Sequence, residues 1–108
     1  MARDRLDLHN EFIDILETRG QKISRVYYQA PESSKMEYPC IKYSLAGVNV
    51  KRANNGVYNT YNKYEVIVID YDIDSDIWNK IISHFPMCSF DRQYPSDNLN
   101  HTVLTLYY

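Results

Sequence analysis

The sequence is poor in glycine and cysteine, and each shortage excludes a class of protein. Its three glycines, Gly20, Gly47 and Gly56, lie too far apart to form a phosphate-binding loop. Its two cysteines, Cys40 and Cys88, lie in apolar, strand-like stretches, where a free buried thiol is commoner than a disulfide. The composition therefore argues against a nucleotide-using enzyme and against a fold held by a disulfide.

The sequence also lacks a basic excess and a long apolar run. Twelve Lys and Arg are scattered among fourteen Asp and Glu, for a formal net charge of −2, so nucleic acid is not expected as the primary partner. No apolar run approaches the ~20 residues of a membrane helix, and the start has no apolar core of a secretory signal. We expect one soluble domain spanning residues 1–108.

No motif predicts catalysis or metal binding. Asp72, Asp74 and Asp76 alternate like the first ligands of a calcium loop. The sixth and twelfth positions of that loop would be Ile77 and Ser83 instead of the required glycine and glutamate. The cysteines and histidines have neither the short spacing of structural zinc sites nor the surroundings of an activated nucleophile. The sequence therefore predicts no catalytic residue, no metal site and no cofactor.

Tyrosine is the residue in excess, with eleven copies against three phenylalanines and one tryptophan. A tyrosine side chain joins an apolar ring to a polar tip, which suits half-buried positions and the surfaces where proteins meet. This composition predicts a protein with much contact surface.

The strongest strand signal lies in Tyr61–Tyr71, around the four β-branched residues Val66–Ile69. Such a run leaves neither face of the strand polar, which is typical of a middle strand covered on both faces. Hydrophobic periodicity and turn residues predict the other elements around this strand. In order, they are a helix over Arg3–Arg19, strands over Ile23–Gln29 and Tyr38–Leu45, a hairpin over Gly47–Thr60, the central strand, a helix over Ser75–Phe85 with Asp74 as N-cap, a strand over Met87–Tyr94, a turn over Pro95–Asn98 and a strand over Leu99–Tyr108.

This order of elements predicts an α+β fold with a single mixed, mostly antiparallel sheet and two helices packed on it. Within it, two polar hairpins are candidate contact elements, because long polar hairpins on small domains contribute more often to binding than to the core. The candidate residues of the first hairpin are Lys51, Arg52, Tyr58 and Tyr61.

The composition of the second candidate hairpin is consistent with two interpretations. It is either a solvated hairpin, in which Asp97 and Asn98 make turn hydrogen bonds, or a polar and aromatic patch that faces a partner. The candidate interface residues under the second interpretation are Asp91, Arg92, Tyr94, Asn98, Asn100 and His101.

Five segments of the sequence resemble the tail terminator, or tail completion, proteins of tailed bacteriophages. In order they are Tyr38–Tyr43 (YPCIKY), Tyr64–Tyr71, Cys88–Arg92 (CSFDR), Asp97–His101 (DNLNH) and Leu106–Tyr108. The resemblance covers most of the chain, and its last third is the most specific part.

The resemblance implies a structural virion protein and no enzyme. Such a protein forms a homohexameric ring on the head-proximal end of the tail tube, ends tube polymerisation and joins tail to head. The implied partners are its own copies, the tail-tube protein and the head connector protein, with DNA passing through the ring without sequence-specific binding and no membrane involved. The implied location is the virion, at the head-tail junction, and the host cytoplasm during assembly. The alternative is a head-closure or adaptor protein of the portal connector.

Overall fold

The computed structural model describes residues 5–17, 26–29, 39–53, 56–71 and 76–108, except the side chains of 16–17, 49–53 and 56–61. These residues form two helices and five strands: α1 (Arg5–Glu17), β1 (Val26–Tyr28), β2 (Cys40–Ala53), β3 (Gly56–Asp70), α2 (Ile77–His84), β4 (Cys88–Ser96) and β5 (Leu99–Tyr107). The strands make one sheet in the order β1-β2-β3-β5-β4, in which β1 is parallel to β2 and the other neighbours are antiparallel. The predicted α+β fold with a single mixed sheet is confirmed.

Both helices cover the same face of the sheet. Alternate residues along each strand point to this face, so that Ile41 lies opposite Val68 and Val66 opposite Leu104. The apolar residues of the helices recur at intervals of three or four and form one stripe on each. The residues of the helices buried in the core are Leu8, Phe12, Ile15, Ile77 and Ile81, together with Phe85 at the C-cap of α2.

The opposite face of the sheet carries no helix among the described residues. The expectation that the central strand is covered on both faces therefore stays a prediction for this face. A small cluster of Cys40, Ile69 and Leu99 is buried here, with Tyr27 and Ile67 packed against it. Neighbouring strands supply these apolar side chains, so part of the β-branched run in β3 is buried without a described second layer.

Two strands extend further than predicted. β2 continues to Ala53 through a shift of register between Leu45 and Gly47, so the predicted strand and the first limb of the predicted hairpin form one strand. β4 continues to Ser96, and the turn consists of Asp97 and Asn98 alone, with φ of 52° and 62°. A two-residue hairpin turn with positive φ at both positions matches the twist of its strands. The predicted turn at Pro95–Asn98 is therefore two residues too long.

Pro95 fits within β4 because β4 is an edge strand. Helix α2 has Asp76 at its N-cap, two residues later than the Asp74 predicted for that position. Asp74, the residues before Val26 in the predicted first strand and Gly20 after the predicted first helix lie outside the described residues.

Candidate functional site: three contact surfaces

β2 and β3 continue beyond the other strands as a two-stranded arm. Pairing between β3 and β5 ends at Lys63, opposite Tyr107, and β1 reaches only Tyr28, opposite Tyr43. Beyond these points β2 and β3 pair with each other as far as Ala53 and Gly56. We call residues 48–53 and 56–61 the arm. At ~3.4 Å per residue the arm is about 20 Å long, within a chain that measures 51 × 27 × 24 Å.

An isolated two-stranded hairpin is only marginally stable in water. The arm is therefore an element that gains from contact with another molecule. It contains all four candidate residues of the first hairpin. Lys51 and Arg52 lie in its β2 limb, Tyr61 lies in its β3 limb, and Tyr58 falls at a second shift of register. The side chains of these residues lie outside the described part of the chain.

Two exposed apolar side chains lie at the base of the arm. Leu45 is 44% exposed and Val48 is 56% exposed. Among the described residues, β1 ends its pairing at Tyr28, opposite Tyr43, and so does not pair with this part of β2. A Cβ atom added at Gly47, between Leu45 and Val48, would meet no atom within 4 Å. We call Leu45 and Val48 the arm-base patch.

The second surface lies on the opposite edge of the sheet. Every residue of β4 after Cys88 is exposed. Phe90 is 47% exposed, and its ring stands edge-on to that of Trp78 from α2, with the ring centroids 5.5 Å apart. Such a pair presents a rigid aromatic surface at low cost in conformational entropy. We call Trp78 and Phe90 the β4 patch.

Asp91 and Arg92 follow Phe90 at a β-bulge in β4. Arg92 Nη1 lies 2.9 Å from Asp91 Oδ2, and both side chains are about half exposed. A solvent-exposed ion pair of this kind contributes at most about 1 kcal/mol to stability. Both residues are therefore accessible on the same edge as the β4 patch, and the fold does not depend on their pairing.

The third surface is at the end of the β4–β5 hairpin. Tyr94 and His101 are register partners whose rings stack with centroids 5.0 Å apart and an interplanar angle of 10°. Next to this pair, a cleft of about 230 Å³ is lined by both turn-side asparagines together with aromatic and apolar groups. Its lining residues are Tyr71, Pro95, Asn98, Leu99 and Asn100.

The ten candidate residues thus fall at two distant places. Those of the second hairpin lie together on β4 and β5: Asp91 with Arg92, Tyr94 with His101, and Asn98 with Asn100. The turn of this hairpin is next to the end of β3, since Asp70 lies opposite Asn100. The arm lies at the start of β3. The two candidate hairpins are therefore at opposite ends of the central strand.

Sequence reasoning missed both apolar patches. The alternation of Ile41, Tyr43 and Leu45 predicts one dry strand face, but Leu45 is exposed. Trp78 was predicted in the apolar stripe of its helix, and it does pack against the core, but it is only partly buried and also contacts Phe90. The sequence pattern does not show which residues of an apolar face the rest of the fold leaves uncovered.

Helix α1 is attached to the body by polar contacts as well as by its apolar stripe. The hydroxyl of Tyr108 donates to Glu11 Oε2, and Glu11 Oε1 lies 3.1 Å from His84 Nε2. One carboxylate therefore joins α1 to α2 and to the residue that follows β5. This cluster is structural, because each of its groups has a partner within the chain.

A second polar cluster centres on the hydroxyl of Tyr43. Arg5 donates to it at 3.2 Å, and His9 Nδ1 lies 2.7 Å from it. The Arg5 guanidinium also lies 4.3 Å from the centre of the Tyr28 ring. Burial, together with the nearby charge of Arg5, lowers the pKa of His9 below its ordinary value of 6.5. Neutral His9 is thus the form that fits this site, as an acceptor for the Tyr43 hydroxyl.

Both cysteines are free, as predicted. Burial raises the pKa of the Cys88 thiol to about 11, so little of it is present at neutral pH as the reactive thiolate. Within the described ranges, no three His, Cys, Asp or Glu residues form a group that could hold a metal ion. Neither described helix is long and apolar enough to cross a membrane.

No protein-family model matches the chain, and no curated protein matches it either. The features of the described residues that bear on function are the arm, the arm-base patch and the surfaces of the β4–β5 hairpin. All three are surfaces suited to protein contacts.

Proposed function

We propose that this chain is a structural subunit that closes with its own copies into a ring, and that the ring ends the tail tube of a bacteriophage and joins tail to head. The observation that carries this proposal is that two unlike exposed patches, one on β2 and one on β4, lie toward opposite edges of one sheet. A contact between unlike patches of successive copies is heterologous, and it produces a closed ring when the rotation between copies closes.

The chemistry of the two patches suits such a contact. The arm-base patch is aliphatic, and the β4 patch is a pair of packed aromatic rings. Aromatic anchors that become buried against apolar side chains commonly supply most of the energy of a protein interface. The arm extends the contact, because it projects beside the arm-base patch and has no strand of the body to pair with.

The assignment to tail completion rests on the resemblance of five segments, the last three of which fall on the β4–β5 hairpin. The α+β fold agrees with what that resemblance implies. In this role the ring contacts the tail-tube protein on one side and the head connector protein on the other, while DNA passes through its centre. The subunit acts by shape and surface in the virion and transforms no substrate.

Ring assembly is tested by breaking each patch in turn. Leu45→Asp with Val48→Asp breaks the arm-base patch, Phe90→Asp breaks the β4 patch, and Leu6→Asp is the matched control, since Leu6 is a 57% exposed leucine on α1 outside both patches. Native mass spectrometry and electron microscopy should find rings for the wild type and for the control. Each patch variant alone should be monomeric, with an unchanged circular dichroism spectrum.

A mixture of the two patch variants distinguishes a ring from a dimer. Because each variant keeps one intact patch, the mixture should form heterodimers and nothing larger. If a single patch variant still forms homodimers, the interface is symmetric and the ring proposal is wrong.

The tail role is tested with tail tubes and head connectors of the same phage. Rings should cap one end of the tubes in electron micrographs and stop further addition of tube protein. Binding to connectors without binding to tubes would replace this role with that of a head-closure or adaptor protein.

A further inference from the structure

Acidic residues are absent from a long central segment of this otherwise acidic chain. Between Glu37 and Glu65 there is no Asp or Glu, although the chain has fourteen of them. The same segment contains four cations, Lys42, Lys51, Arg52 and Lys63, together with five asparagines at positions 49, 54, 55, 59 and 62. Its local charge is therefore positive, whereas the net charge of the whole chain is −2.

The fold separates this segment from the carboxylates. Most of it forms the β2–β3 hairpin, with Lys51 and Arg52 in the arm. The acidic residues Asp70, Asp76 and Asp97 lie at or beyond the opposite end of β3. Lys51 and Arg52 lie opposite Asn59 and Val57 of β3. Asp70 is 11 and 13 residues further along that strand, which is about 35–45 Å at ~3.3 Å per residue. The arm thus carries two cations and no carboxylate, whereas the other end of β3 carries carboxylates.

The shape of the arm suits duplex DNA. Two paired strands lie about 4.8 Å apart, and the major groove of B-DNA, about 12 Å wide, admits a two-stranded ribbon. The deep and narrow major groove of duplex RNA does not admit side chains in the same way. Lysine, arginine and asparagine are also among the residues that most often contact phosphate groups.

From this combination we propose that the arm binds the sugar-phosphate backbone of duplex DNA through Lys51 and Arg52, without reading its sequence. This goes beyond the proposed function, in which DNA only passes through the ring. It does not require the ring either, because one copy carries the whole arm. In a ring the arms act together, and the affinity for one duplex rises through multivalency.

The test is a titration of a short, fluorescently labelled DNA duplex of mixed sequence, followed by anisotropy at about 50 mM and about 200 mM KCl. The wild type should bind, and its affinity should fall with salt. Lys51→Ala with Arg52→Ala should weaken binding about tenfold or more at the lower salt concentration and reduce the slope of log affinity against log salt by about two. Lys51→Arg with Arg52→Lys should restore most of the affinity.

The matched control is Lys42→Ala with Lys80→Ala, which removes the same charge from outside the arm. It should leave the affinity within about twofold, since its cations contact no phosphate in this proposal. Absence of salt-dependent binding by the wild type, or equal losses in the arm variant and the control, would overturn the proposal. So would an arm variant that keeps its DNA affinity and loses only ring formation, which would make Lys51 and Arg52 protein contacts.

The monomeric variant Phe90→Asp separates this proposal from the previous one, because Phe90 lies on β4, outside the arm. Its DNA binding should be weaker than that of a ring but should still depend on Lys51 and Arg52. If wild-type rings do not form, the DNA result stands unchanged, and if DNA does not bind, ring formation is unaffected.

Discussion

The same two strands, β2 and β3, build both the body and the arm of this chain, and they behave differently in each. In the body, β3 lies between β2 and β5, with Tyr64, Val66 and Val68 buried beneath the helices. In the arm the two strands pair with each other, and no other described strand pairs with either of them. The four consecutive β-branched residues of the body give way in the arm to β-branched residues interrupted by asparagine, tyrosine and two cations. The body therefore holds the fold, and the arm is available for binding.

The largest effect on stability is expected where the body is most tightly packed. Phe12 is fully buried, and its ring centroid lies 5.1 Å from that of Tyr43 and 5.6 Å from that of Phe85. Phe12→Ala removes the contact of α1 with both the sheet and α2, and should lower the free energy of unfolding by about 3–5 kcal/mol in urea denaturation. The same change at Phe90, which is 47% exposed, is the matched control and should cost about 1 kcal/mol or less. If the two substitutions lowered the free energy of unfolding equally, the difference in burial between Phe12 and Phe90 would not determine their contributions to stability.

The body was predictable from the sequence because its signals are local. The run Val66–Ile69 identified the central strand, and helical spacing identified the stripe from Leu8 to Ile15 and the stripe from Ile77 to Phe85. The same run predicted cover on both faces of β3, and the described residues place both helices on one face and a small buried cluster around Ile69 on the other. Pro95 was wrongly assigned to a turn, because an edge strand tolerates proline and the sequence does not say which strands are edges.

The candidate surfaces were only partly predictable. Polarity and turn residues located both hairpins, and asparagine with glycine indicated the turn between β2 and β3. The length of the arm was not predicted, because the strand over Tyr38–Leu45 and the first limb of the hairpin over Gly47–Thr60 were expected as separate elements, whereas β2 runs through both past a bulge. The exposure of Leu45 and Val48 was not predicted either.

A smaller effect is expected from the polar contacts of α1, and it should depend on pH. The pKa of His9 is lowered in the folded protein, by burial first and by Arg5 second. Below pH 6.5, His9 is therefore protonated in the unfolded chain, whereas in the folded chain it takes up its proton only at a lower pH. The stability that neutral His9 contributes is complete above pH 6.5 and is lost as the pH falls through the lower pKa of the folded state.

Urea denaturation at a series of pH values measures this loss. The decline of stability with falling pH should be less steep in His9→Gln than in the wild type, because glutamine keeps an acceptor for the Tyr43 hydroxyl and takes up no proton. The two proteins should differ little above pH 7. Parallel curves for the two proteins would mean that His9 titrates as it does in the unfolded chain.

The smallest effect on stability is expected from the largest change in sequence. Deleting residues 48–61 and joining Gly47 to Asn62 through an Asn-Gly turn removes the arm, while Asn62 keeps its two backbone hydrogen bonds with Tyr108. The free energy of unfolding should stay within about 1 kcal/mol of the wild type, since an isolated hairpin contributes little. Ring formation and DNA binding should both be lost. An arm that was part of the core would reverse this outcome, because its removal would unfold the body. If the shortened chain folds but no longer binds, the body part of β2 and β3 is sufficient for folding, and the arm part of the same strands makes the contacts.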